Sequence, residues 1–265
     1  MNILVCIKQV PDTTEIKIDP VTNTLIRQGV PSIINTFDAY ALELAVRVKE
    51  QYSGKVTVIS MGPEQAKEAL KECLSVGADE AYLISDRIFG GSDTLATSYI
   101  LSKFINVLEA EHGKYDLILC GKQAIDGDTG QVGPEIAEHL GIPQVTYITD
   151  MKLEDNFLLV KRDNDNGFDW IEVEIPALVT VTKTNFEPRY ATIRSKMQAN
   201  KRNIPVLTSN DASLDFAQCG LKGSPTKVKK TYTPVRQKNG VIIKEENSKT
   251  AVKKFIIWAN DTKVF

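Results

Sequence analysis

At 265 residues, with 42% hydrophobic and 25% charged residues and a net charge of −2, the chain has the length and composition of one large soluble domain with an appendage, or of two small domains. No run approaches the roughly 20 apolar residues of a membrane span, and the apolar start at residues 3–7 is too short for a signal peptide, since Lys8, Pro11 and Asp12 follow at once. Four cysteines without a CxxC pair and only two histidines argue against a disulfide framework, a zinc site and histidine acid–base chemistry. The expected setting is the cytoplasm, and any redox chemistry must come from a bound cofactor.

Residues 2–7, NILVCI, read as a first strand, followed by a loop pinned by Pro11. Short alternating runs at 15–19 and 24–27, around a turn at 20–23, look like a hairpin. Asn35, Thr36 and Asp38 then offer caps for an amphipathic helix whose apolar positions are Ala41, Leu42, Ala45 and Val46. KVTVISM at 55–61 is a second strand, and Pro63 suits the first turn of a helix running to Ser75. Gly77 fits its C-terminal cap, and 80–84 is a third strand. This βαβαβ order implies a parallel sheet with right-handed crossovers, whose ligands lie beyond the carboxyl ends of the strands. That rule gathers residues 8–12, 60–62, 86–93 and 121–134 at one candidate site.

Two of those segments carry the chemistry. In FGGSDTLATSY at 89–99, Gly90 and Gly91 form a flexible turn, Ser92 or Asp93 caps the next helix, and Thr94, Thr97 and Ser98 are small enough to admit a flat ring. A bulky residue at Gly91 is expected to hinder access there while sparing the fold. In YDLILCGKQAIDGDTGQVGP at 115–134, a strand buried on both faces opens into a loop and then a helix through Ile136, Ala137 and Leu140. Gly121, Gly127, Gly130 and Gly133 allow close backbone approach, and Asp128 and Thr129 offer caps to a helix N-terminus that attracts phosphate. The pattern is neither GxGxxG nor a Walker loop, and Asp126 and Asp128 would repel phosphate unless turned to ribose or backbone. A pyrophosphate site and an ordinary capped loop both account for it.

After Pro143 the pattern becomes strand after strand, at 144–149, 157–162, 170–175 and 177–183, with DNDNG at 163–167 as a hairpin turn. Antiparallel strands are therefore expected to extend the parallel sheet. A division is expected near residue 200, between an α/β domain (1–200) and a C-terminal arm (201–265). The arm carries 13 Lys and Arg against 5 Asp and Glu, but its aromatics are too scattered for a nucleic-acid stacking platform. Its Pro and Gly punctuation predicts an extended, partner-wrapping segment ending in a short helix at about 249–258.

Several of these stretches in order, ILVCIKQVPDT, VISMGPEQAKEAL, ECLSVGADEAYLISD, LILCGKQAIDGDTGQVGPEIAEHLGIP, EIPALVTVTK and EPRYATIRSKM, resemble the β subunit of electron transfer flavoproteins along essentially the whole chain. The resemblance implies a Rossmann-like adenine-nucleotide-binding α/β fold and a partner α subunit with its own FAD. It carries nucleotide contacts onto Cys6, Pro11, Asp12, Asn35, Thr36, Phe37, Asp38 and Met61. It also carries them onto Gly121, Lys122, Gln123, Ala124, Ile125, Asp126, Gly127, Asp128, Thr129, Gly130, Gln131 and Val132. A segment resembling residues 187–197 docks the dehydrogenase, with Ile193 as its hydrophobic anchor.

Two branches divide that family. In one the β subunit holds AMP as a structural ligand; in the other it holds a second FAD that oxidises NADH and bifurcates the electrons. FGGSDTLATSY, KQVPDT and AIDGDTGQVGPE resemble the bifurcating branch. That implies Gly91, Asp93, Thr94 and Thr97 beside flavin or nicotinamide, a low-potential acceptor such as ferredoxin or flavodoxin, and an acyl-CoA dehydrogenase or enoyl-CoA reductase as the second acceptor. Asn35-Thr36 stands where many relatives have Asn-Pro, a departure that leaves the start of the helix less rigid.

Overall fold

A computed structural model describes residues 1–12, 31–154, 157–229 and 240–262. The hairpin expected at 15–19 and 24–27 lies outside the described residues. The strands are β1 (Asn2–Cys6), β2 (Gln9–Pro11), β3 (Ser32–Ile34), β4 (Lys55–Met61), β5 (Glu80–Ile84), β6 (Leu117–Gly121), β7 (Gln144–Glu154), β8 (Phe157–Asn164), β9 (Gly167–Glu174), β10 (Ala177–Val181) and β11 (Val206–Leu207). The α-helices are α1 (Thr36–Tyr52), α2 (Lys67–Ser75), α3 (Thr94–His112), α4 (Val132–Leu140), α5 (Ile193–Lys201), α6 (Gly220–Gly223) and α7 (Ser248–Asp261).

Nine strands form one sheet in the order β11-β5-β4-β1-β6-β10-β7-β8-β9, parallel from β11 to β7 and antiparallel across β7-β8 and β8-β9. This is the mixed α/β sheet the alternation predicts, and DNDNG does turn β8 into β9. Strand periodicity sorts the core into two layers. Ile3 and Val5 of β1 pack with Leu42 of α1 and Leu70 of α2, whereas Leu4 and Cys6 face Ile100 and Phe104 of α3 and Ile136 of α4. Burying both faces requires apolar residues at successive positions, which is why β1 and β6 read as continuous runs.

Three local expectations are corrected. The stretch after β1 is a short strand, since β2 pairs antiparallel with β3, which places Pro11 opposite Ser32. Asn35 precedes α1 but its side chain makes no capping bond. Likewise neither Asp128 nor Thr129 caps α4: the residue before that helix is Gln131, again without a side-chain cap. Just beyond residue 200, the described chain as far as Ser224 packs on the α/β domain. β11 joins the sheet edge at β5, and Ile204 and Cys219 are buried. The last helix forms as expected, with Val252, Ile256 and Ile257 exposed.

Candidate functional site

β1 leads to β4 and β5 on one side, and β6 lies on the other, so the direction of winding reverses between β1 and β6. At such a switch point the loops leaving the two strands diverge and leave a crevice. Here the crevice is a cavity of about 870 Å³, within the range of cofactor sites. It is lined by Cys6 at the end of β1, Met61 at the end of β4, residues 84–87 after β5, and the loop from Gly121 into α4.

Asp38 ties these loops together. Its carboxylate accepts from Lys8 N at 2.7 Å, from Gly121 N at 3.1 Å and from Asn35 Nδ2 at 2.9 Å. Asn35 gives up capping because its amide joins the same network: Nδ2 also donates to Gln123 O at 2.8 Å, and Oδ1 accepts from Ile125 N at 3.0 Å. Burial pushes the Asp38 carboxyl up to about 7, against the pull of its three donors and of the Lys8 charge. Gly121 has no room for a side chain, since an added Cβ would lie 2.7 Å from the backbone of both Phe37 and Asp38.

The acidic residues of the Gly121 loop are neutralised or turned aside. Lys8 Nζ donates to Asp126 Oδ1 at 2.6 Å, and Asp128, in the left-handed region at φ 53°, accepts from Gln123 Nε2 at 2.8 Å. The Lys8 charge offsets that of Asp126, which lessens the repulsion an anion would meet. α4 has no side-chain cap at its N-terminus, and its first residues, Val132 and Gly133, line the cavity, as does Lys122. This donor set suits a phosphate group.

Asp93 caps α3 by accepting from Ala96 N at 3.1 Å, as expected. Its other oxygen accepts from Thr226 N and Oγ1 at 3.0 and 2.8 Å, and its own N donates to Ser224 Oγ at 2.9 Å. Burial alone would raise this carboxyl, but the Thr226 and Ala96 donors hold it below the ordinary value. Gly91 is not the open turn expected: at φ 74°, an added Cβ would meet Leu221 Cδ2 at 2.7 Å. The segment through α6 therefore straps the rim of the cavity at Ser92 and Asp93.

Of the residues predicted from the sequence, Cys6, Asn35, Asp38, Met61, Gly91, Asp93, Thr94, Thr97, Gly121–Ala124, Gly127 and Thr129–Val132 line the cavity. Ile125, Asp126 and Asp128 do not line it and are bonded to Asn35, Lys8 and Gln123, and Thr36 and Phe37 lie in the first turn of α1. Pro11 and Asp12 belong to the β2–β3 pair. Lys8, Asp86 and Arg87 also line the cavity; the carboxyl-end rule reached their loops, but nothing local singled them out. Leu101 and Glu64 were missed, since each reads as an ordinary helical residue. Cys6 stands beside Cys120 across the β1–β6 pairing, and contact between the two thiols, with burial, holds Cys120 well above its usual value. Ile193 lies away from the cavity, exposed at the start of α5.

A mostly parallel sheet covered on both faces, with a crevice at its switch point, defines a doubly wound α/β protein of the kind that takes ligands there. Residues 22–212 match the electron transfer flavoprotein domain family. The chain is 53% identical over 250 residues to the electron transfer flavoprotein subunit beta of Megasphaera elsdenii, covering 93% of each chain. It is 54% identical over 257 residues to that of Thermoanaerobacterium thermosaccharolyticum, covering 97% of this chain and 96% of the relative. It is also 49% identical over 244 residues to the caffeyl-CoA reductase-Etf complex subunit CarD of Acetobacterium woodii, covering 92% of each. The chain belongs to the electron transfer flavoprotein β-subunit family. Among the described residues, no helix is long and apolar enough to cross a membrane.

Proposed function

We propose that this β subunit binds FAD in the cavity between β1 and β6, accepts reducing equivalents from NADH, and bifurcates them. One electron passes to ferredoxin or flavodoxin, the other through the FAD of an α subunit to an acyl-CoA dehydrogenase or enoyl-CoA reductase in the cytoplasm. The observation that carries the reading is the cavity itself: about 870 Å³, lined by the first residues of an uncapped helix, by Lys122 and by several small residues. Bound flavin supplies the hydride and one-electron chemistry. The chain's part is to hold and orient it. Lys122 and the first turn of α4 bind phosphate, Gly127 and Gly130 allow close backbone approach, and Cys6 and Met61 present an apolar wall. The strap at Ser92 and Asp93 limits water. That one relative is named for a caffeyl-CoA reductase-Etf complex supports a CoA-ester reductase as the second acceptor.

Nucleotide released from the denatured heterodimer tests the ligand. Two FAD per heterodimer, with rapid flavin bleaching on anaerobic NADH addition before any dehydrogenase is present, are expected. One FAD and one AMP, without bleaching, would reduce the cavity to a structural site. The exposed Val252, Ile256 and Ile257 of α7 are proposed to meet the α subunit. Deleting residues 245–265 is then expected to weaken assembly while nucleotide at the cavity is retained; full assembly and transfer by the truncated chain would make the arm a solvated tail.

A further inference from the structure

The segment joining β10 to α5 crosses the outer side of α1 on charged groups that the cavity leaves unused. Tyr40, Glu43, Arg47 and Glu50 recur at steps of three and four and so form one stripe along that helix. Arg189 is fixed to two of them. Its Nε donates to Glu43 Oε2 at 2.7 Å and its Nη2 to Glu43 Oε1 at 3.2 Å. Nη1 and Nη2 reach the two oxygens of Glu50 at 2.6 and 3.0 Å, and the backbone N of Arg189 also donates to Glu43 at 3.1 Å. Tyr40 Oη holds Glu187 at 2.7 Å, and the Arg47 guanidinium lies 4.0 Å from the centre of the Phe186 ring.

Besides these bonds, the segment is held by α5 lying along α2. None of the described residues between Thr184 and Ala199 is fully buried, and of its apolar side chains Phe186 alone packs, half-buried, against the core. Just past the clamp the chain presents large apolar groups to water: Tyr190 is 96% exposed, Ile193 82% and Met197 59%. Ile193 and Met197 share one face of α5 at a spacing of four. An apolar face of this kind binds well only when its backbone is already ordered, because ordering it on contact subtracts from affinity.

We infer that Arg189 is a positioning residue for partner docking: its fork onto Glu43 and Glu50 fixes the Tyr190–Ile193–Met197 face in the orientation the redox partner meets. This rests on reading residues 187–197 as the docking segment. A guanidinium suits this role better than an ammonium, because its planar fork presents several N–H groups to both carboxylates in fixed geometry. The clamp acts on encounter and leaves the electron step itself alone.

The test uses the heterodimer with its α subunit and the acyl-CoA dehydrogenase that co-purifies with it, comparing wild type with Ile193→Ala, Arg189→Ala, Arg189→Lys and Glu50→Gln. Steady-state transfer is measured against dehydrogenase concentration, alongside nucleotide content and thermal midpoint. Arg189→Ala is expected to raise KM for the dehydrogenase roughly tenfold with kcat within about twofold, the pattern of lost binding without lost chemistry. Arg189→Lys falls between, and nucleotide content is unchanged. Glu50→Gln removes half the grip at an exposed position and is expected to raise KM by roughly two- to threefold, which keeps the test open if Arg189→Ala fails to fold. If Ile193→Ala raises KM while the Arg189 and Glu50 variants keep the wild-type value, the clamp has no positioning role. If Ile193→Ala also leaves KM unchanged, the docking reading itself fails, and the inference falls with it.

Discussion

Asp38 and Glu43 stand five residues apart on α1, 6% and 4% exposed, and they meet burial in opposite ways. Asp38, at the cavity, has three dipolar donors and, among the described residues, no ion-pair partner, and burial outweighs these donors and the Lys8 charge to push its carboxyl up to about 7. For Glu43, under the 186–190 segment, burial also raises the carboxyl, but the Arg189 and Arg47 guanidiniums outweigh it and hold the group below its ordinary value. The difference lies in what each region needs. Next to a phosphate-suited crevice, a carboxyl that sheds its charge near neutrality adds less repulsion. Beneath a segment that has few core contacts, a full charge helps to fasten the chain.

The largest expected effect breaks the comparison at Asp38. A carboxyl raised above its unfolded value of 3.8 binds its proton more tightly when folded. Stability relative to Asp38→Asn, whose amide does not titrate, is therefore full below about pH 4 and falls as pH rises to about 7. The loss is on the order of 4 kcal/mol across that window. Urea unfolding midpoints of both proteins at successive pH values measure it. A constant difference from pH 4 to 7 would mean that the three donors keep Asp38 ionised.

Next in size is Gly121→Ala. The new Cβ must displace the backbone at Phe37 and Asp38, and such overpacking costs roughly 1–3 kcal/mol. It also moves one of the Asp38 donors, so nucleotide content is expected to drop with the unfolding midpoint. A variant that purified with full nucleotide and a wild-type midpoint would contradict the close approach of β6 to α1.

The smallest effect sharpens the comparison from the other side. Because the folded value of Glu43 is depressed, its pH-dependent stabilisation is present above the unfolded value of 4.5 and is lost as pH falls through the folded one. Stability relative to Glu43→Gln is expected to decline on acidification, the opposite sign to Asp38, and to be weaker because Arg189 is partly in water. If both variants shifted with the same sign, counter-charge would not be what separates the two regions.

The sequence by itself determined whatever is settled by neighbours a few residues apart. Continuous apolar runs marked β1 and β6 as strands covered on both faces. Spacing marked Ala41, Leu42, Ala45 and Val46 as the buried stripe of α1, DNDNG turned a hairpin, and Asp93 capped α3. The order of those elements implied the sheet and, through its switch point, the stretch of loops around the cavity; the longer motifs carried the family, which the comparisons bear out. Only the tertiary structure decided the rest, since it depends on which distant groups meet. β11 is two residues long and without periodicity, and forms because β5 offers it an edge. Asn35 reads as a cap, yet it bonds to Gln123 and Ile125, some 90 residues on, because buried amides there need partners. Leu221 closes over Gly91, and Arg189 finds Glu43 across 146 residues. A hydrogen bond or an overlap between such residues leaves no periodic trace in the chain, so no local pattern could announce it.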